Sequence, residues 1–224
     1  MQLFGKTPRI FLGAMVAFFL VFTYGSQNAH GLYLDFDSVD AYNAPGGYVE
    51  ATDYLAAMGV TLTNYNPAAT VAIYDYRKFF DVIPPSTPNF ITMIGSNDPD
   101  SYRLTFATPL ESLSFTRTRL VDNGGLAYPE WQVTVYNPEG VAGPSVGDSL
   151  RGYYGDNPAA TYTLAIPGDV VQSVVVYSNN YHYAGMSAVT LDDFRGTEVP
   201  ISSSVLLFGS GMLGLVGLRR FRKE

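Results

Sequence analysis

Two pairs of aspartates stand far apart in this 224-residue chain: Asp35 and Asp37 near one end, Asp192 and Asp193 near the other. Carboxylate oxygens are calcium ligands, and the ion takes about six to eight oxygens. If the first and last strands are neighbours, all four side chains come to one sheet edge. Side chains alternate along a strand, so Asp192 and Asp193 face opposite ways and only one is expected to be a ligand. Asp37 and Asp193 are the leading pair, with a structural Ca²⁺ as the cofactor. The plainer reading of the same residues is solvated strand-end acids.

Aromatic rings suit the faces of sugars, and the chain has 17 tyrosines, 14 phenylalanines and one tryptophan, Trp131. Tyr153, Tyr154, Tyr181 and Tyr183 fall in loop-like contexts beside Asn and Asp, which makes them candidate sugar contacts. Rings also fill β-cores, so each has a structural reading as well. The only histidines are His30 and His182. His30 is expected to leave with a secretion signal, which leaves no multi-histidine zinc site and no Ser-His arrangement. His182, in Asn179-Asn-Tyr-His-Tyr183, reads as a loop residue. A carboxylate pair of the glycosidase kind stays open, but no spacing singles one out, so no catalytic residue is assigned.

The elements that position these residues lie between two sorting-type ends. Lys6 and Arg9 precede an apolar run from Ile10 to Phe22, followed by small residues, the pattern of a secretory signal peptide. Cleavage is expected after Gly31, with Leu32 as the mature start, or after Ala29. At the other end, Ile201–Leu218 is uncharged and spans about 27 Å as a helix at roughly 1.5 Å per residue, against a hydrocarbon core of about 30 Å. Arg219, Arg220, Arg222 and Lys223 follow it and belong on the cytoplasmic side. Gly209, Gly211, Gly214 and Gly217 are tolerated in a lipid-embedded helix and permit close helix approach.

Val199-Pro200, the glycine-spaced run Val205–Leu218 and the terminal Arg219-Arg220 together resemble the PEP-CTERM class of C-terminal sorting signals of exopolysaccharide-producing Gram-negative bacteria. The resemblance covers about 26 residues at the C-terminus. The Pro-Glu-Pro tripeptide is absent, and Val199-Pro200-Ile201-Ser202 is nearer a Val-Pro variant without its second proline. The resemblance implies an exosortase-like processing enzyme as partner, passage through the inner membrane, and delivery to the cell surface or extracellular matrix.

Six of the 13 basic residues and one of the 20 acids lie in these two ends, which leaves 19 acids against 7 bases in residues 32–198. Such a surplus opposes nucleic-acid binding, which needs the opposite sign. The absence of cysteine excludes disulfides and thiolate metal sites.

Residues 32–198 read as one β-rich domain, with the signal peptide at 1–31 and the sorting segment at 199–224. Runs rich in β-branched and aromatic residues recur between turn clusters such as Pro45-Gly46-Gly47, Asn97-Asp-Pro99 and Asn137-Pro-Glu-Gly140. The expected strands are Leu32–Phe36, Val60–Thr63, Val71–Tyr76, Phe90–Ile94, Tyr102–Phe106, Ser112–Arg117, Trp131–Tyr136, Ala160–Ala165, Val170–Tyr177 and Ala188–Phe194. Tyr48–Met58 is the one candidate helix, ending at Gly59. Val174–Tyr177 is apolar throughout, which predicts a strand buried on both faces. About ten strands at this spacing predict an all-β, two-sheet antiparallel sandwich.

Leu34-Asp-Phe-Asp37 at the start and Val189-Thr-Leu-Asp-Asp-Phe194 at the end also resemble the jelly-roll sandwiches of carbohydrate-binding modules. That likeness implies neighbouring first and last strands and a calcium held by their acids. The resulting expectation is a non-catalytic surface or matrix protein associated with exopolysaccharide. A polysaccharide-acting hydrolase or lyase and a purely structural surface protein are the alternatives.

Overall fold

Apolar and polar residues alternate in Tyr102-Arg-Leu-Thr-Phe106 and in Leu113-Ser-Phe-Thr-Arg117, and both segments belong to one 18-residue strand, Asp100–Arg117. In the first half the even-numbered residues Tyr102, Leu104 and Phe106 are buried; in the second half Leu113 and Phe115 are buried, with Leu110 before them and Thr116 and Arg117 after. Leu110 keeps the even phase, so the change falls at Glu111–Ser112, where the β15 partner also shifts register; the β12 partner shifts between Thr105 and Leu110. Pro109 offers no N–H to the ladder, which suits a corner. From sequence this interruption reads as a break between two strands; in the structure the backbone crosses it extended.

The computed structural model describes residues 31–78, 82–83, 88–95, 99–120, 130–148, 158–178, 182–183, 186–187 and 189–199. Residues Gly31–Val199 form a compact unit. In chain order the strands begin with β1 (Leu32–Leu34), β2 (Tyr48–Glu50), β3 (Val60–Asn64), β4 (Thr70–Asp75) and β5 (Val82–Ile83). β6 (Asn89–Ile94), β7 (Asp100–Arg117), β8 (Arg119–Leu120), β9 (Trp131–Tyr136) and β10 (Ala142–Asp148) follow. β11 (Ala160–Leu164), β12 (Val171–Ser178), β13 (His182–Tyr183), β14 (Met186–Ser187) and β15 (Leu191–Glu198) complete the set. The helix α1 is Ala51–Ala57.

All pairings are antiparallel. The first half of β7 lies between β12 and β3, and β9 and β10 extend that layer beyond β12. The second half lies between β11 and β15, and β6, β4 and β2 continue beyond β15. The two inner faces share one apolar core. Tyr102, Leu104, Val133, Val135, Val174 and Val176 come from one layer; Ile73, Ile91, Leu113, Phe115, Leu191 and Phe194 come from the other. The architecture is therefore the expected all-β antiparallel sandwich.

Several elements depart from expectation. Tyr48–Glu50 is a strand paired with β4, and only Ala51–Ala57 is helical. The helix does stop at Gly59, whose φ of +73° is the left-handed conformation that glycine adopts without cost. β10, with the sequence Ala-Gly-Pro-Ser-Val-Gly-Asp, carries no hydrophobic alternation and is held at the edge by pairing with β9. β12 is central as predicted, yet Val175 and Tyr177 are only half-buried on its outer side. The strands buried on both faces are β4 and β6, whose outer side packs Ala72, Tyr74, Phe90 and Ile94 with Tyr48 and Tyr76. The Tyr48–Tyr74 and Tyr74–Phe90 ring pairs stack there at 5.3 and 6.1 Å.

Candidate functional site

The first and last strands are direct neighbours, with Leu32, Tyr33 and Leu34 opposite Gly196, Arg195 and Phe194. At the top of this pair the backbone is irregular on both sides. Phe36 and Asp193 are the two non-glycine residues with positive φ among the described residues, at 60° and 51°. The register of β15 also slips between Asp192 and Arg195. A bulge of this kind re-aims successive side chains. Asp192 is fully buried, and its Oδ1 accepts the Asp193 N–H at 2.7 Å. Asp193 instead accepts the Tyr33 hydroxyl proton at 2.9 Å and lies 3.7 Å from the Arg195 guanidinium. Arg195 in turn sits over the Tyr33 ring at 4.8 Å.

The other two acids organise the loop after β1. Asp35 Oδ1 accepts the Asp37 N–H, and Asp37 Oδ1 accepts the Asn89 N–H, both at 3.2 Å. The Asn89 side-chain amide donates to the Phe36 and Val39 carbonyls at 2.9 and 2.8 Å, which leaves its buried Oδ1 without a hydrogen-bond partner. Tyr54 joins the group through a 3.4 Å hydrogen bond from the Phe36 N–H to its hydroxyl. Burial raises the Tyr54 pKa, and the charges of Asp35, Asp192 and Asp37 raise it further. The structure thus gathers Asp35, Asp37 and Asp192 near Tyr54 and commits Asp193 to Tyr33 and Arg195. Among the described residues no group of three or more Asp, Glu, His or Cys side chains is arranged to hold a metal ion.

A second region emerges on the outer side of the β10–β9–β12–β7–β3 layer. Register aligns Thr63, Arg103, Val175, Thr134 and Ser145 in one row across the five strands. Ser101, Tyr177, Gln132 and Gly147 form the next row, and Thr105, Ser173 and Tyr136 the row on the other side. These positions alternate with the buried core residues, so they share the outward face. Arg103 is the one charged residue among the outward positions of these three rows. Its guanidinium lies over the ring of Tyr136 at 5.0 Å and that of Tyr65 at 5.9 Å. Its Nε is buried without an acceptor, and it has no carboxylate partner among the described residues. Gln132 and Ser145 are hydrogen-bonded at 3.2 Å farther along the face.

Of the tyrosines singled out in the sequence, Tyr153, Tyr154 and Tyr181 lie outside the described residues, and only the backbone of Tyr183 is described. Tyr183 and His182 form β13 rather than a loop, paired with β14. Of the sorting motif, Val199 is described and donates its N–H to the Pro109 carbonyl at 3.5 Å; Pro200, Arg219 and Arg220 lie outside. Among the described residues no helix is long and apolar enough to cross a membrane. Sequence reasoning did not select Tyr65, Arg103, Tyr136 or Tyr177. The alternation in Tyr102–Phe106 and Gln132–Tyr136 already put Arg103 and Tyr136 on outward faces, but nothing in it made those two strands members of one sheet.

No protein-family model matches the chain, and no curated protein matches it. Among solved structures it is similar to an arabinose-bound GH51 α-L-arabinofuranosidase, at TM-score 0.45 and 15% identity over 76% of this chain and 27% of that one. It is also similar to the enzymatically active domain of bacteriophage CBA120 tailspike protein 4, at TM-score 0.40 and 10% identity over 72% of this chain and 22% of that one. A third is the CBM22-1 xylan-binding domain of Paenibacillus barcinonensis Xyn10C, at TM-score 0.36 and 11% identity over 62% and 86% of the two chains. The chain spans about a quarter of the length of the first two. At these scores the likenesses carry no argument about function.

Proposed function

We propose that this protein is a non-catalytic cell-surface or matrix protein that associates with extracellular polysaccharide along the outer face of the β10–β9–β12–β7–β3 layer. One observation carries the reading: Tyr65, Tyr136 and Tyr177 stand on a sheet face that also carries hydroxyls, an amide, a guanidinium and Val175. Tyrosine offers a sugar ring an apolar surface with a polar tip, and the neighbouring hydroxyls exchange hydrogen bonds with its rim. The acidic surplus of the domain argues against nucleic acid as the partner. The sandwich is read as jelly-roll-like.

In the same reading the chain enters the secretory route through residues 1–31. The PEP-CTERM-like segment 199–224 holds it in the inner membrane of a Gram-negative bacterium until an exosortase-like enzyme processes it. Intact-mass measurement on surface-extracted protein tests that step, and retention of residues 205–224 sinks it. A structural Ca²⁺ at the β1–β15 edge belongs to the proposal on a separate footing. The unsatisfied Asn89 Oδ1, in the loop that Asp37 organises, is a neutral oxygen of the kind calcium takes alongside carboxylates. As they stand, Asp35, Asp37 and Asp192 form no metal-holding group, so binding would require them to turn toward the Asn89 Oδ1; the ion would then tie the first strand to the last.

Co-sedimentation of the full-length protein with the producing cell's exopolysaccharide tests the main reading. Wild type is expected to pellet with the polymer, and a Tyr136→Ala/Tyr177→Ala variant to stay in solution. Equal retention of both proteins removes the tyrosine face from the account.

A further inference from the structure

Each of the other arginines with described contacts has a carboxylate or a carbonyl as acceptor. Arg77 is paired with Asp75, Arg195 approaches Asp193, and Arg117 donates to the Thr118 and Pro158 carbonyls. Arg103 differs. It is partly buried at the centre of a sheet face with no other charge in its three rows, in a domain whose acids outnumber its bases by 19 to 7. Acids were available to neutralise it, and among the described residues none is placed there.

The two rings explain how the cation is held without a counter-ion. A guanidinium over tyrosine faces is attracted by their quadrupoles and fixed in orientation. The rings supply no hydrogen-bond acceptor in the guanidinium plane. With Nε buried, the four N–H donors on the two Nη atoms keep their capacity for an external acceptor, and a carboxylate matches their fork with two parallel hydrogen bonds. Flanking tyrosines also furnish apolar surface for a ring that carries such a carboxylate. A uronic acid combines both features in one residue: a pyranose face and a carboxylate at its edge.

We propose that Arg103, between Tyr65 and Tyr136, is a carboxylate-reading subsite that makes the face selective for uronate-bearing, acidic polysaccharide over neutral polysaccharide. This rests on the polysaccharide reading above and names its ligand class. Charge complementarity is local. The domain as a whole is acidic and repels a polyanion, so the contact depends on this one cation and on the three outward rows around it carrying no acid. Binding is therefore expected to pass through a maximum with salt. Low salt leaves the long-range repulsion unscreened, and high salt weakens the exposed part of the ion pair.

The test compares alginate with carboxyl-reduced alginate, a matched neutral polymer, in affinity electrophoresis with the full-length protein. Wild type is expected to bind alginate at least about tenfold more tightly than the reduced polymer, a ratio equivalent to about 1.4 kcal/mol. Arg103→Gln is expected to abolish that preference while keeping the weaker binding to the reduced polymer. Arg103→Lys, which keeps the charge but not the fork, is expected to fall between them. Matching thermal midpoints for the three proteins establish that a loss is not unfolding. Equal binding of both polymers by wild type, or an unchanged preference in Arg103→Gln, overturns the carboxylate subsite and leaves the polysaccharide reading standing. Binding of neither polymer overturns both.

Discussion

The guanidinium of Arg103 lies 5.0 Å from the ring centre of Tyr136, although β12 separates the strands that carry them. The two side chains therefore meet across the β12 positions Val175 and Ser173, which lie opposite Arg103 and Tyr136. Tyr136→Phe keeps the ring and is expected to leave stability unchanged. Tyr136→Ala removes it and is expected to cost about 0.5–1 kcal/mol, the range for a cation–π contact near the surface. Urea denaturation of the two variants measures the difference.

Tyr102 carries a hydroxyl that is buried without a hydrogen-bond partner, and burial raises its pKa. An unsatisfied buried polar group costs free energy that its removal returns. Tyr102→Phe is expected to stabilise the fold by about 1 kcal/mol, at the low end of that penalty. A higher urea midpoint with unchanged slope is the expected result, and a destabilised variant would mean the hydroxyl has an acceptor.

Asp75 is buried, and Arg77 forms a fork on its carboxylate, with Nε hydrogen bonds of 2.8 and 3.0 Å. Burial pulls the Asp75 pKa up, but the Arg77 hydrogen bonds and charge outweigh it, and the net shift is downward. The contribution is therefore present above the unfolded-state carboxylate pKa of about 4 and lost as pH falls through the lower folded value. Asp75→Asn is expected to be less stable than wild type at pH 7. The gap should close progressively below pH 4, as urea midpoints across pH would record.

Phe194 has no exposed surface and packs its ring at 5.8 Å from Phe115 and 6.2 Å from Phe36. It locks the last strand to the first and to the second half of β7. Phe194→Ala is expected to cost about 3–5 kcal/mol, as do other large aromatic truncations in packed cores. The same truncation at half-exposed Tyr177 is expected to cost far less, which denaturant titration of the pair will show.

Calcium, if held at Asp35, Asp37, Asp192 and Asn89, raises the melting temperature through mass action. A hundredfold excess over Kd adds about 2.7 kcal/mol. For a domain of this size that is a rise of several degrees, which chelator should reverse. Asp37→Asn is expected to remove the increment. Superimposable melts with calcium and with chelator would dismiss the ion.

The β class, the turn positions and the outward direction of Arg103 and Tyr136 were legible locally. They follow from period-two alternation and from glycine and proline chemistry, which act over a few residues. The single β7 strand was not legible, because Pro109 and the change of burial phase look the same as a loop until both sheet partners are known. Edge strand β10 was silent for a related reason: its residues pack little, and its pairing with β9 supplies what its composition does not. The neighbouring of Asp35 and Asp37 with Asp192 required the first and last strands to pair. That Asp192 and Asp193 part was legible from alternation; that Asp192 turns inward while Asp193 goes to Tyr33 and Arg195 was decided by the tertiary structure. Local spacing therefore determined which side chains face outward and which inward along each strand. Long-range hydrogen bonding, which no short window contains, decided which strands lie side by side, and so which tyrosines surround Arg103 on the open face.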